Sequence, residues 1–331
     1  MSQKVTMRSV CHKKCTFDVT FANWCRKSPM QPQKQGKPTK EQSMTKTMAG
    51  KSVLITGATD GIGKSTALGL AKLGAHLTLV GRNPDKGAKV VNELITLTNN
   101  REIAFIKSDL SEMSEVRQTA ETFIAQNKRL DVLINNVGGL FMSRNETREG
   151  NEVTLALNHM SYFLLTDRLL DLLKATAAEH GEARVVNVSS DAHKGTFGIN
   201  LDDLQRRTSY SGWKRYCESK LANIHFTRVL AEKLKGTNVT VNALHPGFVA
   251  SKFGHDNGLL GSLVKASQIF AISVDKGAMT SIHLASSPTV KDTTGTYFYK
   301  SKPAKISRAA RNNEAAEKLW TITESLVKIN A

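Results

Sequence analysis

The chain has 331 residues, is 40% hydrophobic and carries a formal net charge of +17. That length fits one large α/β domain or two small ones, and the apolar content is enough for a sizeable core. It contains no run of uncharged apolar residues long enough for a membrane span, and its four cysteines (Cys11, Cys15, Cys25, Cys217) are too few and too unevenly placed for a disulfide framework.

Residues 1–47 differ from the rest. Gln, Lys, Pro and Ser dominate Pro29–Lys46, and no hydrophobic period is sustained. This predicts a basic, disordered N-terminal tail. Asp18 and Glu41 are the only acids among the first 50 residues, so the tail is strongly cationic while the body is only mildly basic. No helix-turn-helix or zinc-finger pattern accompanies it, so no specific nucleic-acid binding is expected. Cys11-x3-Cys15 with His12 and Cys25 fits no common zinc module, and no metal is expected. There is no apolar stretch for a secretory signal. A cytoplasmic location with reduced thiols is the expectation, with organelle targeting by the acid-free first 17 residues as the alternative. Met44 and Met48 stand just before the patterned region, so the tail also reads as an upstream extension.

From residue 48 to 331 short apolar runs alternate with helical patterns. Strands are predicted at Ser52–Thr56, His76–Val80, Ile103–Lys107, Val132–Asn135, Arg184–Val188, Val239–Leu244 and Gly295–Tyr299. Helices are predicted after the first strand through Leu73, then at Pro84–Leu97, Glu112–Gln126, Val153–Leu173 and Tyr216–Leu234. This alternation means βαβ units: an α/β fold with one doubly wound domain, a parallel sheet of about seven strands and helices on both faces. Ligands of such sheets bind at the carboxyl ends of the strands.

The first strand runs into Thr56-Gly57-Ala58-Thr59-Asp60-Gly61-Ile62-Gly63. Gly57 permits a tight turn, while Gly61 and Gly63 let a pyrophosphate approach the backbone at a helix N-terminus. The strand-to-helix context is the one a dinucleotide motif requires. The second strand ends in Gly81-Arg82-Asn83 rather than in an acid. A guanidinium there suits a 2′-phosphate, so NADP is expected over NAD, although Asp60 argues mildly the other way. Tyr216 and Lys220 lie four apart, one helical turn, so their side chains leave the same face. A nearby ammonium favours a phenolate and would draw the tyrosine pKa, ordinarily about 10, toward the working range.

Taken together these positions resemble the short-chain dehydrogenase/reductases, and among them the retinol-dehydrogenase-like branch. The resemblance covers about Gly50 to Lys302. It rests on the glycine loop, Asp109-Leu110, Asn135-Asn136-Val137-Gly138, Leu157-Asn158-His159, Val188-Ser189-Ser190-Asp191-Ala192-His193, Tyr216 to Lys220 followed by Leu221-Ala222-Asn223, and His245-Pro246-Gly247. It implies a Rossmann-type fold and a catalytic set of Asn158, Ser190, Tyr216 and Lys220. Tyr216 would exchange the proton, Lys220 would lower its pKa and bind the nicotinamide ribose, and Ser190 would hold the substrate oxygen. Asn158 would hold a water linking Lys220 to solvent. Cofactor contacts would come from Gly57, Thr59, Asp60, Gly61, Ile62, Gly63, Arg82, Asp109, Leu110, Asn136, Tyr216, Lys220, Pro246, Gly247 and Val249. Val137 stands where the family usually has alanine. The 26-position step from Ser190 to Tyr216 is long for the family at large, and the retinol-like branch carries an insertion there. The polar tail replaces the membrane helix common in that branch, so no anchor is carried over.

His193 is expected to order its loop rather than act as a base, His245 to shape backbone near the nicotinamide, and Cys217 to have no catalytic role. A substrate lid is expected near 248–272, rich in Phe253, Leu259, Leu260, Leu263 and Phe270. An apolar carbonyl or alcohol suits such a cover. The expected function is NADP-dependent hydride transfer to or from a retinoid, lipid aldehyde or xenobiotic carbonyl, with a non-catalytic NADP-binding scaffold or redox sensor as the alternative. The sequence leaves a homo-oligomer open.

Overall fold

Strand β1 (Ser52–Thr56) is buried at all five positions, as a central strand covered on both faces must be. The computed structural model describes residues 46–247 and 273–329. Beside β1 on one side lie β2 (His76–Gly81) and then β3 (Ile103–Lys107). On the other side follow β4 (Val132–Asn135), β5 (Ala183–Val188), β6 (Val239–His245), β7 (Tyr297–Tyr299) and β8 (Lys302–Pro303). Every pairing is parallel except β7 with β8. Among the described residues the sheet therefore has eight strands, the seven expected and one more. The additional one is a two-residue antiparallel edge, too short for periodicity to reveal.

The chain leaves β1 for β2 and β3, then crosses back to β4. The strand order reverses between β1 and β4, which opens a crevice at their carboxyl ends. Helices α1 (Gly61–Lys72) and α2 (Pro84–Thr98) share one apolar core with the sheet, and α7 (Val274–Ser286) joins them. On the opposite face α3 (Met113–Gln126), α5 (Ser161–His180) and α6 (Gly212–Lys233) form the other large core with α8 (Asn313–Ile329). Met48 is buried, so the packed structure already includes the chain just before β1.

The helix expected over Val153–Leu173 is interrupted. A short α4 (Val153–Leu155) passes into a π-helical turn (Ala156–Met160) before α5 begins. Such a turn adds one residue to the helix and re-aims its side chains, and it is common at functional sites. Helix α6 begins one turn before Tyr216, at Gly212. A Cβ at Gly212 would lie 2.4 Å from the Phe141 carbonyl oxygen, so only glycine lets the helix start this close to that loop.

Periodicity did not assign α7 or α8. Trp320 of α8 packs on Phe163 at 4.7 Å and on Phe226 at 5.7 Å between ring centroids, which fastens the last helix to α5 and α6. No helix among the described residues is long and apolar enough to cross a membrane. The tail 1–45, with Cys11, His12, Cys15 and Cys25, and the expected lid near 248–272 lie outside the described residues. Trp320→Ala should lower the unfolding free energy by about 2 kcal/mol in urea melts, because it leaves a gap beside two phenylalanines.

Candidate active site

The glycine loop lies on the crevice between β1 and β4. Gly57 holds φ +64°, the left-handed region that favours glycine. A Cβ at Gly63 would lie 2.3 Å from the Gly57 carbonyl oxygen and 2.6 Å from the Asn136 side-chain nitrogen. Gly63 therefore serves tight packing of the loop on itself and on Asn136, rather than room for a ligand alone. Asn136 Nδ2 donates to the carbonyls of Thr56 (2.8 Å) and Gly57 (3.2 Å). The Thr56 hydroxyl accepts from the backbone of Asn136 (2.9 Å) and Val137 (3.0 Å). Two strand ends are thus stitched together before any ligand arrives. Asp60 caps α1, accepting from Gly61 N at 2.8 Å. Thr59 sits against Gly81, and Ile62 is half-buried in the first turn.

Arg82 leaves the end of β2 with 72% of its side chain exposed, 4.0 Å from Asp109. Lys86 pairs with the Asp60 carboxylate at 2.6 Å, so the acid in the glycine loop is already matched by a cation. Asp109 accepts from Ser111 N and Oγ, while the Leu110 side chain is buried in the core. Pro246 and Gly247 follow β6. Gly247 holds φ +93° and its N–H donates to His245 Nδ1 at 3.0 Å. His245 stacks on Tyr299 at 4.3 Å, and burial draws its pKa down to about 4. Val249 lies outside the described residues.

Ser190, Tyr216, Lys220 and Asn158 gather at the carboxyl end of β5. Ser189 and Ser190 follow that strand and differ in what they do. The Ser189 hydroxyl is buried and donates to the Lys220 carbonyl at 2.7 Å. Ser190 starts a 3₁₀ turn (Asp191–Gly195), and its hydroxyl hydrogen-bonds Tyr216. Tyr216 and Lys220 are both buried. The Lys220 ammonium lies 5.6 Å from the Tyr216 ring centroid and donates to the Val188 carbonyl at 3.2 Å. Asn158, in the π turn, is fully buried. Its Oδ1 accepts from Gly139 N (2.8 Å), and its Nδ2 donates to Gly139 O and Ser219 Oγ (both 2.9 Å). Both ends of that amide are engaged by protein. Gly138 faces Asn158 Oδ1 and Lys220 Nζ together, at 3.2 and 3.3 Å from its notional Cβ.

Electrostatics depart from the simple pair. Burial pushes the Tyr216 phenol up to about 12, while the Ser190 hydrogen bond acts to lower it. Burial also draws Lys220 down to about 8. Desolvation penalises both charged forms, and it moves the phenol opposite to the direction that helix spacing suggested. His193 is buried between Ser190 and the chain beyond β8. Its Nδ1 lies 2.8 Å from the Ser190 carbonyl, and its Nε2 accepts from Ser307 N at 3.2 Å, which assigns the proton to Nδ1. Both ring nitrogens are thereby engaged in loop structure. Cys217 faces Gly195 in the interior, its thiol pushed up to about 11 by burial. No group of His, Cys, Asp or Glu among the described residues could hold a metal ion.

The family described as short chain dehydrogenase matches residues 51–258. The chain belongs to that family. Human retinol dehydrogenase 12 is 42% identical over 282 residues, covering 85% of this chain and 88% of the relative. Human retinol dehydrogenase 14 is 40% identical, covering 85% and 87%. These relatives place this short-chain dehydrogenase in the retinol-dehydrogenase-like branch, as an NAD(P)-dependent oxidoreductase. Among solved structures, an uncharacterised protein from Mycobacterium paratuberculosis superposes with a TM-score of 0.68 at 31% identity, covering 85% of this chain and 94% of that one. The RhlG/NADP active-site complex of Pseudomonas aeruginosa gives 0.62 at 26% identity, covering 77% and 96%. The glycine loop, its helix N-terminus and the Asn136 brace fit the nicotinamide dinucleotide this family uses.

Sequence reasoning missed several site residues. Trp213 lies one turn before Tyr216, 53% exposed, its ring 5.9 Å from the phenol ring. Its signal was available once α6 was extended by a turn. Thr56 and Tyr162, whose hydroxyl holds the Val137 carbonyl at 2.7 Å, have no sequence signal of their own.

Lys220 binds its proton less tightly folded than unfolded, so its burial costs stability below about pH 8, and the cost fades as pH rises toward 10.5. Lys220→Met should therefore raise stability at about pH 7 by up to about 3 kcal/mol, with the gain shrinking by about pH 10, as urea melts at the two pH values will show.

Proposed function

We propose that the protein is an NADP-dependent oxidoreductase that transfers hydride between nicotinamide and an apolar carbonyl or alcohol, with Tyr216 as the acid/base. The observation that carries this reading is the Ser190–Tyr216 hydrogen bond beside the buried Lys220 ammonium, at the strand ends next to the glycine loop. A bound nicotinamide supplies or accepts the hydride. Ser190 holds the substrate oxygen through its hydroxyl. Tyr216 gives that oxygen a proton in reduction and takes it back in oxidation. Lys220 keeps positive charge next to the phenol, and Asn158 fixes the neighbouring loop through Gly139. Burial of Asn158, Tyr216 and Lys220 limits water at the site, so the charge that develops on the substrate oxygen meets fixed donors rather than bulk solvent.

NADP is supported by Arg82, largely exposed at the end of β2, and by the neutralisation of Asp60 by Lys86. The half-exposed Trp213 and the fully exposed Phe197 lie on the two segments that flank Ser190 and Tyr216. They favour an apolar substrate, in keeping with the names of the retinol dehydrogenases the chain resembles.

A panel of apolar aldehydes, ketones and alcohols, followed by NADPH absorbance, identifies the substrate. With the best of these, Tyr216→Phe should bind NADPH normally and lose turnover by about a thousandfold; retained turnover would exclude the acid/base role. Arg82→Ala should weaken NADPH binding at least about tenfold in fluorescence titrations and leave NADH binding unchanged. Equal affinity of the parent protein for the two cofactors would exclude NADP preference.

A further inference from the structure

Four buried charges stand directly behind Tyr216 and take no part in the chemistry above. Glu152 and Arg215, 0% and 1% exposed, pair at 2.6 Å. Arg215 also lies 3.6 Å from Glu218. Arg206 grips the same Glu218 carboxylate with two nitrogens, its Nε at 3.0 Å. Two cations and two anions cancel. Removing an ion from water costs several kcal/mol, and only partners in good geometry offset that, so apolar side chains of similar volume would hold a fold equally well. A cluster of this kind specifies position more than it adds stability.

Each member ties down a different part of the site. Glu152 caps α4, accepting from Thr154 N and Leu155 N at 2.8 Å, and that helix runs straight into the π turn holding Asn158. Arg215 immediately precedes Tyr216. Glu218 lies between Tyr216 and Lys220. Arg206 belongs to the stretch 199–211 that lengthens the step from Ser190 to Tyr216. In the same stretch the Leu204 carbonyl accepts from Arg215 at 2.6 Å, and Gln205 Oε1 accepts from Glu152 N at 2.8 Å. Arg206 holds φ +53°, a left-handed conformation that costs on the order of 1 kcal/mol for a non-glycine residue. The loop accepts that strain where it delivers the guanidinium.

We propose that the Glu152–Arg215–Glu218–Arg206 cluster is a positioning device that fixes the rotation and axial setting of α6 against the π turn. It thereby holds Tyr216 and Lys220 in register with Ser190 and Asn158. The stretch 199–211 then serves the reaction by completing a charge lock behind the catalytic helix. The inference rests on the acid/base reading of Tyr216. A displacement of about 1 Å at a reacting group costs roughly a hundredfold in rate, so a helix lock of this kind acts on turnover rather than on cofactor binding.

The test uses the full chain with Arg206→Met, Glu218→Gln and Arg206→Lys, with Tyr216→Phe in parallel. Arg206→Met and Glu218→Gln should each lower kcat about thirtyfold, with KM and the NADPH Kd within about threefold of the parent. Arg206→Lys keeps the charge but loses the fork, and should lose only about threefold; it also serves if Arg206→Met does not fold. Hydrogen exchange needs no substrate: residues 153–160 and 212–220 should lose protection together, while the glycine loop keeps its own. Unchanged kcat in the folded variants, a loss of NADPH affinity matching the loss of kcat, or exchange that rises evenly across the protein would each overturn the proposal. Turnover retained in Tyr216→Phe would instead sink the acid/base reading, and the exchange pattern would still decide the lock.

Discussion

The site depends on how α6 is docked across the end of β5. Two hydrogen bonds run in opposite directions between them: the Ser189 hydroxyl donates to the Lys220 carbonyl, and the Lys220 ammonium donates to the Val188 carbonyl. Below them a buried ladder of amides and hydroxyls joins Asn135, Asn187, Thr166 and Thr227, tying β4 and β5 to α5 and α6. These pairings hold the four elements in one mutual setting, with Asn135 Oδ1 left without a partner among the described residues. In that setting Tyr216 lies beside Ser190.

The same enclosure sets the electrostatics. Burial penalises phenolate and ammonium alike, raising the Tyr216 pKa and lowering that of Lys220. The glycine loop is as firmly set as the helix. Asn136, just after β4, and Thr56, at the end of β1, hold it, so the glycine loop and Tyr216 are braced from neighbouring strand ends.

Much of this was legible in the chain. The alternation of apolar runs and helical periods marked seven of the eight strands, because buried parallel strands read as continuous apolar runs. Gly61 and Gly63 marked a helix N-terminus after β1, and Tyr216 and Lys220 marked a helix face. Less legible were features whose partners are far apart in sequence. Nothing near Glu152 signals that Arg215, 63 residues on, will pair with it. Leu157-Asn158-His159 reads as ordinary helix, and the π turn there reflects packing rather than propensity. The start of α6 at Gly212 depends on contact with the Phe141–Met142 loop, which no local rule contains.

By itself the sequence determined the class of fold and the place of the glycine loop after the first strand, because these follow from local spacing and residue chemistry. Tertiary structure decided that the Ser189 hydroxyl is spent on the Lys220 carbonyl while Ser190 lies beside Tyr216. It also decided that Asp60 is paired with Lys86 and that burial raises the Tyr216 pKa and lowers that of Lys220. Each of those outcomes depends on distance and solvent access between elements that only the folded sheet brings together.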